Sequence, residues 1–301
     1  MQQSRSESKV THTGNTFVSE SGDVERVATN AITDEMTSIT ASNGVIRQSA
    51  KTVTDRAVYD VNEKTSSSSE RETRVGVYAG VEAGASTEAG TNTIGIQGKK
   101  TEVSKPDASA GFQASHSSTT ESSTNKITTA KTSSFTAQNI ESDVSGHMEL
   151  EGTSFTATNR VTLNAGSLTF NEAVDKVENT QNNSNLDIGG KVGVVGTPSA
   201  EVNFGIGASA SDDSSQQGRG GEIKANSFVV NVTGQMETTG LNIDVNERTT
   251  NVGTVKTNNL TNEKNSNNSS VGFNLELSNE GMNMDVNKDG YNSNVKIKDY
   301  N

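Results

Sequence analysis

The chain has 301 residues, a net charge of −12 at pH 7 and no cysteine. Hydrophobic residues make up only 29% of it and aromatic residues 4%, which is little for a large globular core. The acidic balance argues against nucleic acid as a partner, and the absence of cysteine excludes disulfides and thiolate metal sites. No apolar run is long enough for a transmembrane helix. Residues 1–31 lack the apolar segment of a signal peptide and are expected to form an irregular first coil.

The next part of the chain, module 1, covers residues 32–118 and is predicted to be a coil followed by a hairpin. A Ser-rich spacer leads into strict alternation from residue 75 to residue 85, where Val or Ala occupies every second position. Such period-two alternation predicts a strand, here within a hairpin over residues 72–115. Its return strand is predicted at residues 94–96 or 108–112.

Module 2, residues 119–221, contains the clearest repeat. The segment 133–170 carries one β-coil twice, because Ser-Phe-Thr-Ala at 134–137 returns 20 residues later. A coil of this size cannot close a core alone, but stacked copies bury a continuous one, as in a solenoid. A Gly-alternating hairpin over residues 185–212 follows.

Module 3, residues 222–301, repeats the arrangement with a coil at 226–247 and a hairpin at 270–298. Here Ser227-Phe228 is interpreted as a shortened copy of the word that begins at Ser134. The residues expected to line the buried column are Ile39, Ala41, Phe135, Ala137, Met148, Leu150, Phe155, Ala157, Leu168, Phe170, Phe228, Val230, Leu241 and Ile243. The predicted fold is therefore all-β, a right-handed parallel β-helix of about 20 residues per coil with hairpin excursions.

The coils, the Asn/Ser/Thr spacers and the Gly-alternating hairpins resemble the hemagglutinin-repeat region of filamentous-hemagglutinin-type exoproteins. They resemble most the second repeat region of contact-dependent inhibition exoproteins, which are two-partner-secreted surface filaments. The resemblance covers roughly residues 30–300. It implies the right-handed β-helix, a secreted or cell-surface location, and an outer-membrane transporter as partner of the full-length protein. The family's secretion domain and toxin have no counterpart here, so a fragment is expected.

One acidic motif is a candidate metal site. Asp285, Asn287 and Asp289, followed by Gly290, match the first half of a calcium loop. Lys296 stands where such a loop needs a bidentate carboxylate, so an Asp-Gly turn in the last hairpin is the favoured interpretation.

No catalytic residue, cofactor or small-molecule substrate is predicted. The carboxylates do not recur at coil spacing, and His12, His116 and His147 stand far apart with no companion pattern.

The hairpins allow two interpretations. Their strands have the length and alternation of strands that could cross an outer membrane. The plainer interpretation is that their apolar faces pack on the flank of the solenoid.

The expected function is that of a structural segment of a large bacterial surface or secreted filament, an adhesin or a contact-dependent toxin-delivery exoprotein. Its expected partners are the target-cell surface or outer membrane. The alternatives are a β-needle component of a contractile secretion spike and a β-helical enzyme that processes glycans.

Overall fold

The computed structural model describes residues 2–82, 85–86, 102–103, 107–195, 199–278 and 281–299. Within them the prediction of an all-β fold is confirmed, and no helix there is long and apolar enough to span a membrane. The strands in chain order are β1 (Gln2–Val10), β2 (Thr16–Ser19), β3 (Val24–Val27), β4 (Ala31–Glu35), β5 (Ser38–Ala50), β6 (Thr52–Arg56), β7 (Val58–Glu82), β8 (Ala85–Ser86), β9 (Glu102–Val103), β10 (Asp107–Lys131), β11 (Ser134–Glu151), β12 (Ser154–Asn171), β13 (Ala173–Val195), β14 (Ser199–Arg219), β15 (Glu222–Thr239), β16 (Asn242–Asn258), β17 (Leu260–Ser278) and β18 (Gly281–Asp299).

One of the two large sheets is parallel throughout. It contains β2–β6, β11, β12, β15 and β16, and every pair in it is parallel. These strands form six stacked layers, here numbered 1 to 6: residues 16–35, 38–56, 134–151, 154–171, 222–239 and 242–258. Each layer pairs with the next one along the chain.

The 20-residue repeat is the pairing register of layers 3 and 4. Phe135 pairs with Phe155 and Leu150 with Phe170, as predicted. The rings of Phe135 and Phe155 stack with centroids 5.1 Å apart and planes 13° from parallel. The pairing shifts register twice within these layers, and the inward side chains of all layers join one buried core. Of the predicted column, Leu241 and Ile243 are only partly buried, and the other residues are buried.

Like residues stack at the bends and on the outside of the layers. Gly166 and Gly234 lie in successive layers, and a Cβ on either would come within 2.8 Å of the carbonyl oxygen of the glycine below. Only glycine allows this close approach of backbones. Outside, Asn231 donates to Asn164 at 2.7 Å and Asn251 donates to Asn231 at 2.8 Å, an amide ladder that needs in-register parallel strands.

The predicted register of the later copy is wrong. Phe228 pairs with Val161, whereas Phe155 pairs with Ile223, so the residue of layer 5 that matches Phe155 lies five residues before Phe228. Ile243 pairs with Ile223 and therefore lies at the start of layer 6, not near its end. The error has a physical reason: a large apolar side chain fits either of two inward positions of a layer, so the word Ser-Phe does not fix which one it occupies.

The second large sheet is antiparallel, with seven strands in the order β1-β7-β10-β13-β14-β17-β18. In the described part of the chain, β8 and β9 pair antiparallel with each other and with no strand of either large sheet. The predicted hairpins were too short, because their outgoing strands begin at Val58, Ala173 and Leu260. The polar spacers that precede the predicted hairpins are therefore β-strands paired with their neighbours, since backbone pairing does not require apolar side chains.

The antiparallel sheet also bears on three other predictions. The return strand of module 1 is the stretch at 108–112, while 94–96 lies outside the described residues. Residues 2–10, expected in an irregular first coil, pair antiparallel with β7. The prediction that the apolar faces of the hairpins pack on the flank of the stack is wrong for their described residues, since Val75, for example, is 79% exposed. The hairpins pair edge to edge with one another instead.

The strands of the antiparallel sheet follow the order of the layers. β7 leaves layer 2, β10 enters layer 3, β13 leaves layer 4, β14 enters layer 5, and β17 leaves layer 6. The other layer ends are closed by short turns whose residues have positive φ: Met36 (50°), Gly152 (61°) and Gly240 (60°). The two layers of each pair are thus joined by a turn that contains a residue with positive φ, and each pair is followed by a hairpin.

A small junction fixes the sheet to the stack. Ala57, Ala130 and Ala173 pack together where the long strands begin, with Tyr59 against them. The Tyr59 hydroxyl donates to Glu151 Oε1 at 2.6 Å, and burial followed by this carboxylate raises the pKa of Tyr59 to about 12. The hydroxyl therefore stays protonated and holds this bond at all physiological pH values.

Candidate interaction surface

The apolar residues of the long strands fall on one side of the antiparallel sheet. Residues directly opposite each other in an antiparallel pair have side chains on the same side. One row of opposite residues runs from Ile188 through Phe204 and Leu275 to Met284, across β13, β14, β17 and β18. The strand alternation seen in the sequence therefore produces a continuous surface.

A second row extends this surface to the other edge of the sheet. Val192 is opposite Phe112, which is opposite Val77, across β13, β10 and β7. We call the whole surface the apolar face. It consists of the alternate residues on this side of the sheet within 75–79, 110–114, 186–192, 200–208, 271–277 and 282–286.

The apolar face is open to solvent. Val77 is 76% exposed and Met284 is 60% exposed, whereas the phenylalanines of the layers are buried. Phe204 and Phe273 contact each other edge-on, with centroids 6.3 Å apart. Monomeric proteins rarely leave a contiguous apolar surface larger than a few hundred Å² uncovered, so a surface of this kind indicates contact with another molecule.

The opposite side of the sheet is polar and is called the polar face. It bears Arg74, Asp187, Asn203 and Glu276 around a shallow cleft of about 470 Å³. Neighbouring side chains along a strand satisfy each other there; Asn203, for example, donates to Glu201 at 3.0 Å. The sheet thus has one face suited to apolar contact and one suited to water.

The middle of the sheet carries serine and asparagine on both faces. Its hydroxyls pair across strands, as Ser66 and Ser123 do at 2.8 Å. A concave region of about 990 Å³ lies over this zone, with Arg5, Glu121 and Asp289 among its lining residues. The zone separates the apolar face from the layer stack.

The calcium candidates lie in a regular strand. Asp285 is opposite Asn274, and Asp289 is opposite Ser270 within β18. The predicted Asp-Gly turn is therefore wrong, because the chain reverses between Ser278 and Gly281. An extended strand rises about 3.4 Å per residue, so Asp285 and Asp289 lie roughly 13 Å apart and cannot share one ion. No group of three carboxylate or imidazole side chains suited to a metal occurs among the described residues.

The histidines are separate in the structure as well. His12 Nδ1 lies 3.3 Å from Asp60, while His116 and His147 each contact a hydroxyl, of Thr73 and Ser167 respectively, at 2.8 Å.

Sequence reasoning missed a charged cluster inside the first layers. Arg26 donates to Asp34 Oδ2 at 2.6 Å, and Asp34 is opposite Asp55 in the parallel pair. Asp55 has no exposed surface, and its Oδ1 has no hydrogen-bond partner. Burial, and next the negative charge of Asp34, raise the pKa of the Asp55 carboxyl well above its usual value of 3.8.

This cluster continues a column that is apolar in the next two layers. Asp55 is opposite Leu150, which is opposite Phe170. Arg26 also lies 5.9 Å from the Phe135 ring centroid. Because Asp55 is sealed from solvent, the cluster is a structural element and not a site for a substrate. Its signal in the sequence, an Asp at an apolar slot, is recognisable only once the register is known.

No protein-family model matches the chain, and no curated protein matches it either.

Proposed function

We propose that the chain is a structural repeat segment of a large bacterial surface or secreted filament. In this proposal the six layers are consecutive coils of a right-handed parallel β-helix, about 20 residues each, and form the shaft. The observation that carries the proposal is the regular alternation of layer pairs and hairpins. Each pair is joined at a residue with positive φ, namely Met36, Gly152 or Gly240, and each is followed by two long strands.

The stack supports a shaft in a second way. Its interior is one continuous core, and its outer ladders repeat from layer to layer, as in Asn164, Asn231 and Asn251. Such an array is lengthened by adding repeats, without redesign of a core. This suits a filament that must extend from a cell.

The antiparallel sheet is proposed as the part of the segment that meets other molecules. It projects from the shaft, and it presents the polar face and the strand ends to the surroundings. The proposed partners are the surface or outer membrane of a target cell and, for the full-length protein, the outer-membrane transporter that exports it. The role is adhesion or toxin delivery, as the resemblance to contact-dependent inhibition exoproteins suggests.

The pairing pattern favours this proposal over a trimeric needle. Each layer pairs with layers of the same chain, for example β12 with β11 on one side and β15 on the other. An intertwined needle of short strands would take its neighbours from other chains. The single-chain stack is therefore the better supported form.

Antibodies against the purified chain test the location. They should label intact cells of the producing bacterium, or detect the protein in the medium, and external protease should remove the signal. A cytoplasmic protein in the same cells serves as the control and should be detected only after lysis. Detection of the chain only after lysis would refute a surface filament.

A further inference from the structure

We infer that the apolar face is the interface of a homodimer in which two copies of the chain pack sheet against sheet. This inference does not depend on the proposed function, because it rests on the area, charge and edges of the antiparallel sheet.

The area of the face fits a stable dimer. At a strand spacing of about 4.8 Å and a rise of about 3.4 Å per residue, the roughly 38 residues of these six segments give a face of about 600 Å² per copy. Two such faces together bury about 1,200 Å², at the lower end of the 1,200–2,000 Å² of stable interfaces. Two sheets stacked about 10 Å apart interdigitate their inner side chains in the same way as a β-sandwich core.

The charge pattern allows the face to meet its own copy. In the rows of Val77 and Met284 the described side chains on this side include no Asp, Glu, Lys or Arg. The row of Met284 continues from Ile188 to His116, whose ring lies 2.8 Å from the Thr73 hydroxyl. Charged residues on this side begin nearer the stack, with Arg71 at one edge and Lys288 at the other. A two-fold interface brings identical surfaces together, so an uncharged centre avoids like-charge repulsion.

A second copy explains the face better than a bilayer does. The chain carries a net charge of −12, which opposes approach to anionic lipid. Among the described residues, the outer edge of β18 has no partner strand, and β1 covers β7 only as far as Ser69. In hydrocarbon the unpaired edge groups would each cost several kcal/mol, whereas water satisfies them beside a dimer.

Sedimentation equilibrium with matched variants tests the dimer. The test variant is V77K/M284K, which places two charges on the apolar face at positions so exposed that a monomer tolerates them. The control is Q113K/N283K, on the polar face: Gln113 follows Phe112, the partner of Val77, and Asn283 precedes Met284. The wild type and the control should show twice the chain mass of 31.6 kDa at micromolar concentration. The test variant should dissociate with a Kd raised about 100-fold or more.

A second readout keeps the test independent of the folding of that variant. Because the chain has no cysteine, M284C and N283C each introduce one reactive thiol on the apolar or the polar face. If the chain dimerises through the apolar face, the alkylation rate of M284C should fall as protein concentration rises, while the alkylation rate of N283C stays constant. Far-UV circular dichroism and thermal melts check that all variants are folded.

Four results would overturn the inference: a wild type that is monomeric at tens of micromolar, a mass of three chains, an oligomer unaffected by V77K/M284K, or alkylation of M284C that is independent of concentration. A monomer that binds vesicles of phospholipid and lipopolysaccharide, and loses binding in V77K/M284K, would also overturn it and assign the face to a bilayer.

Discussion

Replacing Asp55 by leucine should stabilise the chain, although most core substitutions destabilise proteins. The position is fully buried, and it continues the apolar column of Leu150 and Phe170. The wild-type carboxyl has one oxygen without a partner and one weak contact, in which Thr153 Oγ1 donates at 3.5 Å. A buried polar group without a partner costs about 1–3 kcal/mol.

The expected magnitude follows from gains and one loss. Burial of a leucine side chain contributes about 1.5–3 kcal/mol. Removal of Asp55 forfeits its weak contact with Thr153, worth less than about 1 kcal/mol, and leaves the ion pair of Asp34 with Arg26 in place. A gain of about 1–3 kcal/mol is expected, and for a chain of this size about 2 °C in Tm corresponds to each kcal/mol.

The gain should depend on pH in a defined direction. The pKa of Asp55 is raised in the folded state, so the folded state binds its proton more tightly than the unfolded state. The stability that this proton confers is complete below the unfolded value of 3.8 and is lost as pH rises through the folded pKa. The wild type should therefore lose stability between about pH 4 and the raised pKa, and Asp55→Leu should not.

Urea unfolding of both proteins at pH 4 and pH 8, followed by circular dichroism, measures these differences. Asp55→Asn serves as the control, because it removes the charge and keeps the shape. A smaller advantage of Asp55→Leu at pH 8 than at pH 4, or a variant less stable than wild type at both values, would refute the reasoning.

Three other predictions concern the core, the turns and the strand β18. Phe155→Asp should unfold the stack, because it removes a buried ring and buries an unpaired charge, a loss of more than about 4 kcal/mol, while the outward Thr156→Asp should cost less than about 1 kcal/mol; equal melts would contradict the assignment of faces. Met36→Gly should stabilise by up to about 1 kcal/mol by relieving a left-handed conformation, whereas Gly152→Ala should destabilise, and thermal melts should rank them in that order. Millimolar calcium should leave Tm unchanged, because the carboxylates of β18 are spread along a strand; a rise abolished by Asp285→Ala would show a site.

The sequence predicted the parts of the fold that depend on short-range pattern. Alternation identified the strand at Val75, and the 20-residue shift placed Phe135 on Phe155. It did not predict the pairing of one hairpin with another, as of Phe112 with Val192, because backbone pairing leaves no mark in the side chains. The position of Phe228 was missed because the inward positions of a layer accept similar residues.

The same limit applied to the candidate interaction surface. Its side chains were recognisable as apolar stripes on separate strands, but the sequence left two interpretations of what the stripes contact, the flank of the stack or a membrane. Only the order of the seven strands shows that the stripes join into one face. The cluster of Arg26, Asp34 and Asp55 was hidden for a related reason: Asp55 pairs with Leu150 only after an extra residue in layer 2 shifts the register.

The spacing of β-strands explains why the two sheets can grow together. Neighbouring layers of the stack and neighbouring strands of the antiparallel sheet are both about 4.8 Å apart. Two layers therefore rise about 9.6 Å, which is the width that the two strands of one hairpin occupy. One hairpin per layer would overcrowd the sheet, and one hairpin per three layers would leave a gap that no strand fills. The left-handed turns at Met36, Gly152 and Gly240 close the alternate layer ends and thus set this ratio, so that every added module extends the core and the apolar face by the same distance.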